Sequence, residues 1–231
     1  AVMVLSGTTR DAAKRRAWID WIHTALSPGN LVREYVKWDD EPDSIEAVPD
    51  SILRGWKIAL TEPTGPVYIC IDALIQEDPV SSPMLTPEVK YYSPGSKAYP
   101  DPDKIEQLAG LLMESKSPVI NADRAVKSQE DMAALIELAE LLAIPVLDKG
   151  GRLNFPSSHP LDFSGAAAEM LAAADLVLAL EVGDLAGSLE RVDIQKRTSA
   201  SLLKNDTRVV HIGMQDYLTR GWASDYQKLV R

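Results

Sequence analysis

A polar segment at residues 35–42 combines a cation, an aromatic ring and clustered carboxylates. It reads Tyr-Val-Lys-Trp-Asp-Asp-Glu-Pro, with Lys37 and Trp38 directly before the acidic residues. Loops held by a rigid scaffold often carry binding groups of this kind, and adjacent carboxylates are oxygen ligands that Mg²⁺ accepts. An acidic turn leading into a helix explains the carboxylates more simply, because no other ligand group supports a metal. We therefore predict no metal site in this chain.

Two adjacent glycines, Gly150 and Gly151, follow an apolar run that reads as a strand. A dinucleotide site uses a spaced set of glycines, which lets the backbone approach the pyrophosphate, rather than a single pair. A plain turn is the simpler explanation of the pair. His159 lies in a nearby polar loop, where it could hydrogen-bond the backbone or contact a ligand. Gly150, Gly151 and His159 are the candidate cofactor-binding residues.

The remaining reactive side chains form no recognisable catalytic set. His23, His159 and His211 lie far apart, and none is spaced from a cysteine or another histidine as zinc ligands are. The single cysteine, Cys70, sits in an apolar run and excludes an intramolecular disulfide, which fits a reducing cytoplasm. No serine- or cysteine-based triad can be assembled. We predict no catalytic residue within the chain.

Composition excludes several classes of protein. The chain has 231 residues, 45% of them hydrophobic, and a net charge of −10. That charge argues against nucleic acid as a partner, since nucleic-acid binding depends on clustered Lys and Arg. No run approaches the roughly 20 apolar residues that span a bilayer. Ala1 already lies in a predicted strand without an initiator Met, which predicts a piece of a longer cytoplasmic protein.

The first 78 residues predict two strands and two helices. Val2 to Leu5 is a short apolar run, and residues 11–25 place apolar side chains on one helical stripe. Val67 to Ile71 is a continuous β-branched run, as expected of a strand buried on both faces. A second helix opens at Pro49 or Asp50 and ends near Leu60. Its predicted inward side chains are Ile52, Trp56 and Ala59 or Leu60.

A proline-rich connector, residues 79–101, divides the chain. Six prolines between positions 79 and 102 exclude a regular helix or a central strand. Structureless loops longer than about 12–15 residues are uncommon inside one compact domain. We therefore predict two domains joined by a linker.

Residues 102–231 alternate between helices and short apolar strands. Asp101 and Pro102 make a helix start, and this first helix points Ile105, Leu108, Leu111 and Leu112 inward. The other predicted helices cover 128–143 and 166–173, and the strands 118–121, 145–147, 175–180 and 208–212. Such alternation predicts an α/β fold, with parallel Rossmann-like sheets in both units and a doubly wound second unit. Both units read as incomplete, the second ending before its last strands.

Several stretches together resemble the thiamine-diphosphate-dependent enzyme family, and are most similar to acetolactate synthase large subunits. In the first block the similar strings are Arg16 to Ala25, Val36 to Asp40, Lys57 to Ala59 and Gly65 to Ile69. In the second they are Leu111 to Ile120, Leu138 to Val146, Phe155 to Leu161 and Ala174 to Leu178. The resemblance implies the second half of a pyrimidine-binding domain, followed by a central domain.

That resemblance implies an enzyme acting on 2-keto acids with thiamine diphosphate and Mg²⁺. The family's activating glutamate lies upstream of Ala1, and its Gly-Asp-Gly segment, which holds Mg²⁺ and the diphosphate, lies downstream of Arg231. We expect this chain to be non-catalytic alone and to bind no cofactor tightly. Lys37 matches a lysine near the family's substrate channel. FAD binding is doubtful, because the glycines that acetolactate synthases place after the His-Pro-Leu element are mostly missing at Phe163 to Ala168.

Family relatives form their cleft between subunits, so the resemblance implies a homodimer or tetramer. Two alternative functions remain open for this chain. One is a non-catalytic module that binds FAD or ADP, and the other is a purely structural or assembly domain.

Overall fold

The computed structural model describes residues 1–9, 25–80 and 83–214. The predicted helix at 11–25 and His23 lie outside these ranges. The chain divides into two compact units, Ala1–Ala98 and Tyr99–Arg231.

The first unit is built on a three-stranded parallel sheet. Its strands are β1 (Met3–Thr8), β2 (Trp38–Asp40) and β3 (Val67–Asp72), in the order β1-β3-β2. Its helices are α1 (Pro28–Val32), α2 (Val48–Leu60) and α3 (Ala73–Glu77), with a 3-10 turn at Ile45–Ala47. The central strand is buried on both faces from Val67 to Cys70, as its unbroken apolar run predicts.

Helix α2 forms where predicted but presents a different face to the sheet. Its buried residues are Ser51, Gly55 and Ala59, whereas Trp56 and Leu60 are 39% and 37% exposed. The inward assignment of Trp56 was therefore wrong, whereas of the alternatives Ala59 and Leu60 it is Ala59 that is buried. Small side chains at positions i, i+4 and i+8 let the helix lie close to β3, and a stripe chosen by hydrophobicity misses them.

The predicted linker contains a 3-10 turn, Val89–Tyr92, that belongs to the first unit. The Tyr92 hydroxyl donates to the carboxylate of Asp50 at the start of α2. Gly95 N donates to Thr61 Oγ1 at 3.2 Å, just past the end of the same helix. This part of the connector lies along α2.

The second unit is a doubly wound α/β fold. Its parallel sheet has the order β5-β4-β6-β9, formed by β4 (Pro118–Ala122), β5 (Val146–Asp148), β6 (Leu176–Leu180) and β9 (Arg208–Ile212). Its helices are α4 (Pro102–Glu114), α5 (Gln129–Leu142), α6 (Ala167–Ala173) and α7 (Leu185–Leu189). The predicted α/β class with two parallel-sheet units is confirmed.

Two apolar clusters cover the two faces of this second sheet. Leu135 and Ala139 of α5 pack with Ile120 on one face, while Leu171 of α6 packs with Val119 on the other. In α4 only Leu108 is fully buried, and Ile105 is 40% exposed, so its inward assignment was wrong. The sequence left 185–205 unassigned. It holds α7 and an antiparallel hairpin of β7 (Glu190–Asp193) and β8 (Thr198–Ser201).

Candidate functional site

The loops at the carboxyl edge of the second sheet are the first place to look for a ligand, because doubly wound sheets bind ligands there. Gly150 and Gly151 lie on this edge, in the loop after β5. Gly150 has a φ of +79°, a backbone conformation that favours glycine. This geometry fits the plain turn that was the simpler explanation of the pair.

The carboxylate of Asp148, the last residue of β5, organises this loop. It accepts the backbone N–H groups of Gly150 at 2.9 Å, Asn154 at 2.8 Å and Phe155 at 3.2 Å. Three such bonds hold the chain in a tight reversal that returns Phe155 to the core, where it is 1% exposed.

Asn154 ties this loop to the one after β4. Its side chain is fully buried, and its amide donates to Asp123 O at 2.6 Å and to Asp148 Oδ1 at 2.8 Å. Its Oδ1 accepts the N–H of Val126 at 3.1 Å. A buried amide with both ends satisfied fixes the two loops against each other.

Asp123, one residue past β4, completes the edge. Its Oδ2 accepts the N–H of Gly183, in the loop after β6, at 3.1 Å. Its other oxygen lies so close to Gly151 that a Cβ built there would be 1.9 Å away. A side chain at position 151 would therefore have to displace the Asp123 carboxylate.

The structure does not bring His159 to the two glycines. Its Nδ1 accepts the N–H of Leu161 at 3.1 Å, which places the proton on Nε2, 3.2 Å from Glu140 Oε1. The ring also stands edge-on to Phe155 at 4.8 Å. Leu161 O accepts from the N–H of Val146, the first residue of β5. The contact between His159 and Leu161 therefore lies beside the amino end of β5, whereas the two glycines follow its carboxyl end. The cofactor role of these three residues stays a prediction.

Lys37 lies just before β2 in the first unit and caps a helix. Its Nζ donates to Ile58 O at 2.7 Å and to Thr61 O at 2.6 Å, at the carboxyl end of α2. An ammonium group is favoured at this end of the helix dipole. Burial lowers the pKa of the Lys37 ammonium. Its role in a substrate channel stays a prediction, and these hydrogen bonds within the fold argue against it.

Trp38 packs beneath α2. A Cβ built on Gly55 would lie 3.2 Å from its ring and 3.2 Å from Ile69 Cδ1. The ring therefore forms part of the helix–sheet contact, and its substrate-channel role also stays a prediction.

The three carboxylates after Trp38 have separate partners. Arg33 donates twice to Asp39, at 3.0 and 2.6 Å, and its hydrogen bond lowers the pKa of the Asp39 carboxyl. Asp40 accepts from Ser51 Oγ at 2.6 Å, and Glu41 lies 3.4 Å from the N–H of Gly29. Among the described residues, no group of three His, Cys, Asp or Glu side chains could hold a metal ion.

A groove of about 260 Å³ lies at the carboxyl edge of the first sheet. Cys70 and Asp72 of β3 line it together with Glu41, Asp43 and Leu74. Three of the side chains that line this groove, those of Glu41, Asp43 and Asp72, are carboxylates, and no Lys or Arg is among its lining residues.

Comparison with known proteins decides the family. Residues 105–217 match the model of the thiamine pyrophosphate enzyme central domain. This segment belongs to that family. The matched residues begin within α4 and include every strand of the second sheet.

Two curated relatives support the assignment. The chain is 32% identical over 119 residues to a probable acetolactate synthase large subunit of Methanocaldococcus jannaschii. It is 28% identical over 138 residues to benzoylformate decarboxylase of Pseudomonas aeruginosa. These matches cover 50% and 58% of this chain, but only 20% and 25% of the relatives. The predicted resemblance to this enzyme family is confirmed.

Solved structures share the fold over both units. A thiamine diphosphate-dependent 4-hydroxybenzoylformate decarboxylase from Rhodococcus jostii RHA1 matches 91% of this chain with a TM-score of 0.68 and 24% identity. Benzoylformate decarboxylase from Polynucleobacter necessarius matches 91% with a TM-score of 0.66 and 19% identity. The chain covers 39% and 38% of those two proteins.

Sequence reasoning missed the residues that organise the edge of the central domain. None of Asp123, Asp148 and Asn154 was singled out from the sequence. A usable signal was present, because both aspartates come directly at or after the end of an apolar strand. None of the helices in the described part of the chain is long and apolar enough to cross a membrane.

Proposed function

We propose that this chain is the middle part of a thiamine-diphosphate-dependent enzyme that acts on 2-keto acids. The match of residues 105–217 to the central domain of such enzymes carries the proposal. The similarity to an acetolactate synthase subunit and to a benzoylformate decarboxylase supports 2-keto acids as the substrate class.

The described residues fit one wall of a cofactor cleft rather than a complete site. When bound, thiamine diphosphate supplies a carbanion and an electron sink for chemistry at a carbonyl carbon. The groove at the carboxyl edge of the first sheet is lined by Glu41, Asp43 and Asp72, which disfavour a diphosphate beside them. We therefore place the diphosphate and its Mg²⁺ on other parts of the enzyme, with this chain shaping the cleft and excluding water.

Assembly into a homodimer or tetramer is part of the proposal. Trp56 and Leu60 both lie partly exposed on the outer face of α2, and large apolar side chains are enriched at interfaces. In the full-length protein, Trp56→Ser is expected to lower the oligomer mass measured by light scattering, while Leu85→Ser in the connector leaves it unchanged. An unaltered mass for Trp56→Ser removes this face from the interface.

The activity test compares the full reading frame with the 231-residue chain. The full-length protein with thiamine diphosphate and Mg²⁺ is expected to consume pyruvate or benzoylformate, measured as released CO₂. Omitting the cofactor should abolish consumption, and the 231-residue chain alone should show none. Turnover by the chain alone contradicts the proposal, as does a full-length protein inert toward both keto acids and their 4-hydroxy or branched analogues.

A further inference from the structure

The strand order of the central domain defines where a nucleotide would have to lie. The chain passes from β4 through α5 to β5 on one side, and then through α6 to β6 on the other side of β4. The order therefore reverses between β4 and β6, and sheets of this type bind their ligands in the crevice that opens at such a point.

In this protein the crevice is closed by continued pairing of the loops. Past the strand ends, Asp123 N donates to Leu180 O at 3.2 Å and Arg124 N donates to Glu181 O at 3.3 Å. The hydrogen bond from Gly183 N to Asp123 Oδ2 adds a third contact between the same two loops. The two loops that should part around a ligand are hydrogen-bonded to each other.

Several of the backbone donors that a phosphate could use are already occupied. A pyrophosphate is held by free backbone N–H groups at strand ends and helix starts. Carboxylates of the chain take these groups on several loops: Asp123 accepts from Gly183, Asp148 from Gly150, Asp184 from Gly187 and Glu181 from Met214. The carboxylates of Asp123 and Asp148, which take up two of these donors, are also of the same charge as a phosphate.

Gly151 leaves no room for a cofactor beside it, although a Cβ built on Gly150 would meet nothing within 4 Å. The space beside the Gly151 Cα is filled by the Asp123 carboxylate, and the fully buried Asn154 fills the gap between the loops after β4 and β5. Arg124, Lys149 and Arg152 on the same loops are exposed, so their charge stays at the surface and does not replace the occupied donors.

We infer that the carboxylates of Asp123 and Asp148 occupy the places of nucleotide phosphates, so that the central domain takes neither FAD nor ADP and is closed by its own side chains. The FAD that the acetolactate synthase resemblance brings with it does not fit these residues. The inference concerns the central domain alone, and it stands whether or not the full-length protein turns over keto acids.

Titration of the 231-residue chain with FAD and with ADP tests the closure. At about 1 mM of either nucleotide we expect no saturable rise in Tm and no saturable quenching of FAD fluorescence. A ligand at a hundred times its Kd raises the Tm of a protein of this size by several degrees. A saturable response to either nucleotide overturns the inference.

Two further measurements test the part played by Asp123. Asp123→Ala should lower the Tm by about 3–6 °C, whereas Asp206→Ala, at an exposed turn before β9, should change it little. In the unaltered protein, hydrogen exchange should show the Gly183 amide protected. A Gly183 amide that exchanges as fast as in an unfolded peptide, or an Asp123→Ala variant with unchanged Tm, shows that the carboxylate does not close the loops.

Discussion

The side chain of Lys37 illustrates how a charged residue can be used entirely within the fold. Its ammonium bonds to the carbonyls of Ile58 and Thr61, which have no partner within α2 because they lie at its end. Removing the donor leaves both carbonyls short of a hydrogen bond. A lysine in this position therefore contributes to stability whatever else it does.

We expect Lys37→Met to lower the free energy of unfolding by about 1–3 kcal/mol, since hydrogen bonds to charged groups are worth roughly that much. Urea denaturation measures the change. Lys57→Met is the matched control, because Lys57 is an exposed residue in the last turn of the same helix, and it should cost only a few tenths of a kcal/mol. Full stability of Lys37→Met, combined with lost keto-acid turnover in the full-length protein, would instead support the substrate-channel role.

Asp175 is expected to make the stability of the central domain depend on pH in the acid range. Burial raises the pKa of its carboxyl, but hydrogen bonds from the Ser115 hydroxyl and from the N–H groups of Lys116 and Ser117 outweigh this and hold the pKa below its usual value. The ionised carboxylate thus joins the end of α4 to the start of β6.

The sign of this dependence follows from the lowered pKa. Above about pH 3.9, the usual pKa of aspartate, the ionised Asp175 carboxylate contributes its full stabilisation to the folded state. This stabilisation is lost as the pH falls through the lower pKa of Asp175 in the folded state, because the unfolded chain then binds more protons than the folded chain. Urea midpoints measured from pH 6 down to pH 3 should fall less steeply for Asp175→Asn than for the unaltered protein. Asp206→Asn should keep the original slope, and equal slopes for all three proteins would exclude Asp175 as the source.

Local residue patterns in the sequence predicted some of the residues that hold the fold together and not others. Asp101 before Pro102 identified a helix start, because a capping side chain acts within three residues of itself. The partners of Lys37 are 21 and 24 residues away, and Asp123 meets Gly183 across 60 residues. Contacts over such distances follow from the assembled sheet, so the pattern of single residues could not reveal them.

At the level of elements, two glycines in helices present opposite environments. A Cβ on Gly55 of α2 would meet Ile69, Trp38 and Met3 at 3.2–3.3 Å, whereas a Cβ on Gly110 of α4 would meet nothing within 4 Å. Both substitutions to alanine gain the same helix propensity. Only the first must displace neighbours in a close-packed interface.

Gly110→Ala should therefore stabilise the protein by about 0.5–1 kcal/mol, and Gly55→Ala should destabilise it by about 1–2 kcal/mol. Chemical denaturation of the two variants measures both changes. Stabilisation by Gly55→Ala would mean that Trp38 and Ile69 yield without cost, and that the close approach of α2 to β3 is not needed for packing.

Hydrophobic periodicity predicted the positions of the longer helices and buried strands but missed β2, α1 and α3, and it predicted element faces only in part. Helix α5 places Leu135 and Ala139 inward as its stripe predicts, because large apolar residues there meet a broad sheet face. Helix α2 instead buries Ser51 and Gly55, since its distance from the sheet is set by small residues. The β7–β8 hairpin escaped prediction because β8, Thr198–Ser201, is wholly exposed and lacks an apolar face.

For the whole molecule, the proline-rich connector was the strongest sequence signal of two units. The sequence also predicted the α/β class, since short buried strands alternate with helices in both halves. It could not predict that Tyr92 and Gly95 lie along α2, because those contacts join residues more than 30 positions apart. The exact domain boundary stays a prediction.

The described residues of the two units differ in the apolar clusters that they form, and from this we predict how the chain is cut by a protease. Both extended apolar clusters of the described residues belong to the second unit, while in the first unit Val2, Val4 and Leu5 are 59%, 43% and 54% exposed. A small core is a weak source of stability.

Brief chymotrypsin treatment should therefore cut first within residues 79–101, where Leu85 is 94% and Tyr99 85% exposed. The product that begins near residue 100 should persist and unfold cooperatively, whereas the one that ends near residue 85 should be degraded further, because its core is too small to protect it. Mass spectrometry of the early products identifies the cut. A first cut between 118 and 148, inside the β4–α5–β5 core, would show that the chain does not divide at the connector and that the second unit lacks the stability its two clusters imply.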